Sequence, residues 1–144
     1  LDYLAQGQFT LAQEKFERAL HQNPQLPETH IGLGWIFTQK REYTQAQSYF
    51  ENALNLDKRH PETLNLYGIL LCQTADFERA KKIFEAAAQD SRNSEPARTW
   101  SNLGECAKQK QFYTEARQYF HAALNINPAW QPAQAGIASL LNLP

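Results

Sequence analysis

The chain has 144 residues and a formal net charge of −1. That balance leaves no basic footprint for nucleic acid or for an anionic membrane surface. Its four histidines and two cysteines fall at no metal-ligand spacing, and no HExxH, CxxC or glycine-rich phosphate loop occurs, so neither a metal nor a cofactor is expected.

In chain order, the apolar residues recur at three and four, the spacing of amphipathic helices. Leu1–Gln6 reads as the tail of a first helix and Gln8–His21 as its partner, with Tyr3, Gly7 and Phe9 at the end of a truncated hairpin. Pro27–Gln39 and Glu42–Leu56 form a second hairpin, with Pro24 and Pro27 punctuating the turn before it. Pro61–Gln73 and Phe77–Gln89 form a third, and Pro96–Gln109 with Phe112–Asn125 a fourth. Pro132–Leu141 is a final helix that covers the fourth hairpin. No apolar run approaches the ~18 residues of a membrane span. The chain opens at Leu1 without a methionine and inside a repeat, so it reads as a fragment of a longer protein whose leader or anchor lies upstream.

The hairpins repeat. Ala12, Ala46, Ala80 and Ala116 follow one another at 34, 34 and 36 residues. Phe16, Phe50, Phe84 and Phe120 keep the same steps, as do Ala19, Ala53, Ala87 and Ala123. In the first helices Leu33-Gly34, Tyr67-Gly68 and Leu103-Gly104 align. A small residue inside an apolar stripe lets a second helix approach, and a phenylalanine such as Phe120 fills the crossing. Such hairpins cannot bury their faces alone and must stack. The two extra residues of the 36-residue step lie in Asp90–Pro96, whose Asp, Ser and Asn content marks a loop; a tolerated insertion bulging from one rim is expected there.

At this period the pattern resembles the tetratricopeptide repeat, whose W-x2-L-G…A-x3-F…P signature is met by Trp100, Leu103, Gly104, Ala116, Phe120 and Pro128. The resemblance implies an all-α fold, a right-handed superhelical solenoid of helical hairpins. It divides the chain into a partial first repeat at 1–26, repeats at 27–60, 61–96 and 97–130, and a capping helix at 131–144. It also implies a non-catalytic protein-binding array, and the bland reading of each histidine is a solvated helix-face residue. First-helix residues not committed to packing would line the binding groove: Ile31, Trp35 and Gln39, then Asn65, Ile69 and Gln73, then Arg98, Ser101 and Glu105. An exposed Trp35 flanked by Ile31 and Ile69 would offer an apolar patch; the other reading is that Trp35 packs on a neighbouring helix. The lysine and asparagine clamp of cytosolic chaperone adaptors is not matched, since Ile31, Trp35, Leu66 and Glu62 stand at its places.

Cys72 and Cys106 lie late in the first helices of successive hairpins, which run side by side in such a stack. A disulfide is geometrically allowed in an oxidising compartment; two buried thiols acting as small hydrophobes is the alternative. Within the family, Asn65-Leu66-Tyr67-Gly68, Phe84-Glu85-Ala86-Ala87 and the lengthened loop before Ala97–Gly104 resemble the type IV pilus biogenesis lipoproteins of the PilF/PilW group. That resemblance implies a pilotin-like lipoprotein of the outer membrane facing the periplasm, lipid-anchored upstream of Leu1, with the pilus secretin as its partner. A cytoplasmic adaptor, or an accessory array on a larger protein such as a glycosyltransferase, are the alternatives. Oligomeric state is open at this stage.

Overall fold

The computed structural model describes residues 3–143 and is all-helical among them. The helices are α1 (Tyr3–Gln22), α2 (Pro27–Gln39), α3 (Tyr43–Leu56), α4 (Pro61–Thr74), α5 (Phe77–Gln89), α6 (Pro96–Gln109), α7 (Tyr113–Ile126) and α8 (Gln131–Ser139). They fall into two compact units, 1–58 and 59–144, and each is built from the same contact.

That contact is a phenylalanine ring against a glycine. A Cβ added to Gly34 would lie 2.7 Å from the Phe50 ring, one on Gly68 2.8 Å from Phe84, and one on Gly104 2.7 Å from Phe120. No side chain fits there, so the two helices of each hairpin close to the distance the bare backbone allows. Phe50 and Phe84 are wholly buried and Phe120 is 1 % exposed. The alanines flanking them, Ala46, Ala53, Ala80, Ala87, Ala116 and Ala123, are wholly buried as well. The helix that follows also closes a glycine on the ring: Phe16 of α1 meets Gly32 of α2 in the first unit, and Phe120 meets Gly136 of α8 in the second.

Local chemistry sets the helix ends. Pro27, Pro61 and Pro96 occupy first turns, where a missing N–H costs nothing. Asp76 caps α5 by accepting from the Arg79 N–H at 2.9 Å. The α2–α3 and α6–α7 turns are the same structure: Arg41 and Gln111 take φ of 60° and 66°. The next N–H then reaches back to a helix carbonyl, Glu42 to Phe37 and Phe112 to Ala107, each at 2.9 Å.

Three expectations are revised. A turn at Gly7 is absent: α1 runs unbroken from Tyr3 to Gln22. One glycine costs a helix only about 1 kcal/mol, and Gly7 lacks the positive φ that the other turns use; Leu1 and Asp2 lie outside the described residues. Two histidines are not solvated. His30 is buried and its Nε2–H donates to the Pro24 carbonyl at 2.9 Å, while His60 Nδ1 caps α4 by accepting from the Thr63 N–H at 3.4 Å.

The Asp90–Pro96 loop is anchored rather than merely tolerated, although Ser91, Arg92, Ser94 and Glu95 are exposed. Asp90 is 6 % exposed; its Oδ1 accepts from the Arg92 N–H at 2.9 Å and from Arg92 Nε at 3.2 Å, and Arg59 lies 3.3 Å from Oδ2. Asn93 Nδ2 donates to the Ala87 carbonyl at 2.8 Å and to Thr99 Oγ1 at 3.0 Å, tying the loop to both helices it joins. The Arg92 backbone N–H, then its side chain, hold the Asp90 carboxyl below its ordinary value against the opposing effect of burial, with Arg92 and Arg59 charge adding to the lowering. A carboxyl lowered in the folded state stabilises above its unfolded value, about 3.9, and that contribution is lost as pH falls through the lowered value. Asp90→Asn is therefore expected to unfold at lower urea than the parent at pH 7, with the gap narrowing below about pH 4. A gap that stays constant with pH would remove the carboxylate from the argument.

Candidate protein-binding face

In the second unit α4 and α6 pack side by side. Cys72 and Cys106 join them as a disulfide with 5.8 Å between Cα atoms. Two shallow hollows open along this pair of helices.

The smaller, about 140 Å3, has the disulfide in its wall and is lined by Ile69, Gln73, Phe84, Asn102, Glu105 and Gln109. Ile69 and Asn102 are half-buried, and Gln73, Glu105 and Gln109 are exposed. An apolar floor ringed by amides and one carboxylate suits a peptide or helix carrying an apolar anchor with a donor or cation beside it. Glu105 has only Lys108 Nζ at 3.9 Å, an exposed pair of small energy, so its charge is available to a partner.

The larger, about 280 Å3, lies at the N-terminal ends of α4 and α6 against the Asp90–Pro96 loop. Its charges are internally matched: Arg98 bonds to Glu62 across the helices and lies 3.4 Å from Glu95. Between the hollows Asn102 Nδ2 donates to Asn65 Oδ1 at 3.1 Å, a part-buried amide pair that ties α4 to α6.

The expected groove residues divide accordingly. Ile69, Gln73 and Glu105 come together in the smaller hollow. Arg98 and Asn65 line the larger one, where Asn65, 2 % exposed, is a packing residue more than a contact surface. Ser101 is buried and lines neither hollow. In the first unit Gln39 is exposed, Trp35 is half-buried and Ile31 is buried. The exposed apolar patch around Trp35 and Ile31 is thus not present: Ile31 shares its helix face with Gly34 and Thr38, both buried. Asn102 was missed as a groove residue. It stands four after Arg98 and three before Glu105, a spacing that put it on their face.

Among the described residues no group of His, Cys, Asp and Glu could hold a metal ion, and no helix is long and apolar enough to cross a membrane. Helical hairpins that close phenylalanine on glycine at a 34-residue period, with residues left over on first-helix faces, define a repeat array for binding protein. Three family models described as tetratricopeptide repeat match residues 1–61, 37–101 and 97–130, and the chain belongs to that family.

Among solved structures the chain is similar to Pseudomonas aeruginosa PilF, with a TM-score of 0.83 and 29% identity over 96% of this chain. It is similar in fold to PilW, described as a widely conserved type IV pilus biogenesis factor, at a TM-score of 0.81 and 23% identity over 91% of this chain. YrrB, described as a tetratricopeptide protein with an unusual peptide-binding site, shares the fold at a TM-score of 0.75 and 20% identity, covering 94% of this chain and 69% of its own. The chain spans 63% of the PilF chain and 60% of the PilW chain. No curated protein matches it in sequence.

Proposed function

We propose that this chain is a non-catalytic scaffold of type IV pilus biogenesis, part of a periplasmic lipoprotein held at the outer membrane that assists assembly of the pilus secretin. The observation that carries the reading is the likeness to PilF, 29% identical across 96% of the chain; the description of PilW as a pilus biogenesis factor agrees with it. Two cysteines placed within bonding distance between adjacent helices fit an oxidising compartment. The contact surface is the smaller hollow of α4 and α6, with Ile69 as apolar floor and Gln73, Asn102 and Glu105 as its polar rim.

The test is fractionation of cells making the full-length protein, paired with the amount of secretin multimer. The protein is expected with the outer membrane, and its loss is expected to leave secretin monomers. A cytoplasmic protein, or multimers unchanged without it, would overturn the reading. Glu105→Arg with Gln73→Arg tests the surface separately: secretin binding in a direct titration should weaken at least about tenfold, or 1.4 kcal/mol, with the unfolding midpoint unmoved. Unchanged binding would move the site elsewhere on the array.

A further inference from the structure

The smaller hollow is built narrowly enough to say what chemistry fills it. Ile69 and Gln73 of α4 form one wall, and Asn102, Glu105 and Gln109 of α6 form the other. Phe84 of α5, wholly buried, also lines it. The Cys72–Cys106 bond crosses from wall to wall. The two helices are thus already held at their spacing, and an incoming side chain does not have to order them.

Size and floor together select the occupant. The hollow holds about 140 Å3, close to the ~150 Å3 of an apolar protein cavity that takes up benzene. One six-membered ring fits that space, and an indole exceeds it. Two sulfurs and the Phe84 ring lie against the occupant. Both gain from an aromatic neighbour beyond plain burial, through sulfur–ring and ring–ring contact. A branched aliphatic side chain gains only the burial.

Charge selects what stands beside the ring. No lysine, arginine or histidine lines this hollow, and Glu105 is its one carboxylate. The ion pair of Glu105 with Lys108, at 3.9 Å, is loose and exposed. The larger hollow offers no such vacancy, since Arg98 already serves both Glu62 and Glu95. A cation is attracted here and an anion repelled.

We propose that the smaller hollow takes the phenyl or phenol ring of a partner segment, with a lysine or arginine one or two positions away set on Glu105. The disulfide is then a contact surface as well as a cross-link. The inference rests on the hollow being the contact surface, as proposed above, and names what a partner must present there. It holds whichever compartment the protein occupies.

The probe is an acetylated, amide-ended hexapeptide of glycine and serine with phenylalanine and lysine at its centre. It is titrated into the 144-residue chain while the Ile69 methyl resonances are followed by NMR. The expected result is a saturable upfield shift of those methyls, the mark of a ring lying over them, with a Kd below about 1 mM. Leucine in place of the phenylalanine is expected to weaken binding roughly fivefold and to abolish the upfield shift. Glutamate in place of the lysine is expected to cost about fivefold, and Glu105→Arg to reverse that preference. Cys72→Ala with Cys106→Ala should weaken the phenylalanine peptide by roughly fivefold; Ile69→Ala is the second variant should that one unfold. No shift at several times 1 mM peptide, a leucine peptide bound as well as phenylalanine, or a charge preference that ignores Glu105→Arg would each overturn the proposal. The secretin reading fails separately. A phenylalanine peptide seated on Ile69 in a protein that does not bind secretin keeps this inference and removes that one, and secretin binding lost in Glu105→Arg with Gln73→Arg while no peptide shifts Ile69 does the reverse.

Discussion

Phe120→Ala is expected to cost about 3–5 kcal/mol, the range for removing a buried aromatic ring, and to do so locally. The ring is 1 % exposed and is the shared contact of α6, α7 and α8, with the bare backbones of Gly104 and Gly136 against it. Neither glycine has a side chain that could swing into the space, so the cavity collapses poorly and the loss falls at the high end. Each hairpin of a repeat array contacts only its neighbours, so stability is a sum of local terms. Hydrogen exchange should show α7 and α8 opening while α2 and α3 keep their protection. Ile126→Ala, half-exposed on the same helix, is the control and should cost under about 1 kcal/mol. Urea unfolding of the two variants, followed site by site, decides it. A uniform loss of protection along the whole chain would show that the array unfolds as one unit and would remove the local argument. The converse substitution, Gly104→Ala, places a methyl group 2.7 Å from the Phe120 ring and should destabilise by overpacking, by about 1–3 kcal/mol.

The second-helix columns were legible because their chemistry is restrictive. A wholly buried Ala-Phe-Ala stripe closing on glycine admits few substitutes, so it repeats with little drift, and the sequence alone places Phe84 on Gly68 and Phe120 on Gly104. The first-helix faces were less legible. A first helix packs on its own hairpin partner and also on neighbouring first helices, so little of its circumference is left to solvent. Asn65 and Ser101 look like groove residues by type and are buried; Asn65 is spent on the amide pair with Asn102. The Asp90–Pro96 loop was opaque for a different reason. Its turn-forming residues announce a loop, but their bonds run to Arg59, Ala87 and Thr99, partners that no local pattern specifies. His30 and His60 likewise act through individual contacts, His30 to the Pro24 carbonyl and His60 to the Thr63 N–H and hydroxyl, which leave no periodic trace. Gly7 gave a false turn because glycine marks a helix end only where the backbone needs a positive φ.

Removing the Cys72–Cys106 disulfide is expected to cost about 2–4 kcal/mol, almost all of it through the unfolded chain. The bridge spans 34 residues of sequence, and closing a loop of that length restricts the unfolded ensemble by close to 4 kcal/mol in the chain-entropy account. The folded state changes little on reduction. Both sulfurs are buried, Cys72 at 5 % and Cys106 at 3 % exposed, and two thiols there still pack as small hydrophobes. The Asn65–Asn102 bond and the Arg98–Glu62 pair continue to hold α4 on α6. Cys72→Ala with Cys106→Ala should therefore lower the unfolding midpoint while leaving the folded spectrum unchanged. Adding a dithiol to the parent should reproduce that midpoint, and adding it to the double variant should do nothing. The protein recovered from its own cells decides what this bond says about location. Intact mass lower by two hydrogens than the dithiol form places the chain in an oxidising compartment, where a bond of this energy persists. Free thiols in the native protein would place it with the cytosolic proteins, and the secretin reading would fall with the disulfide while the repeat array remained.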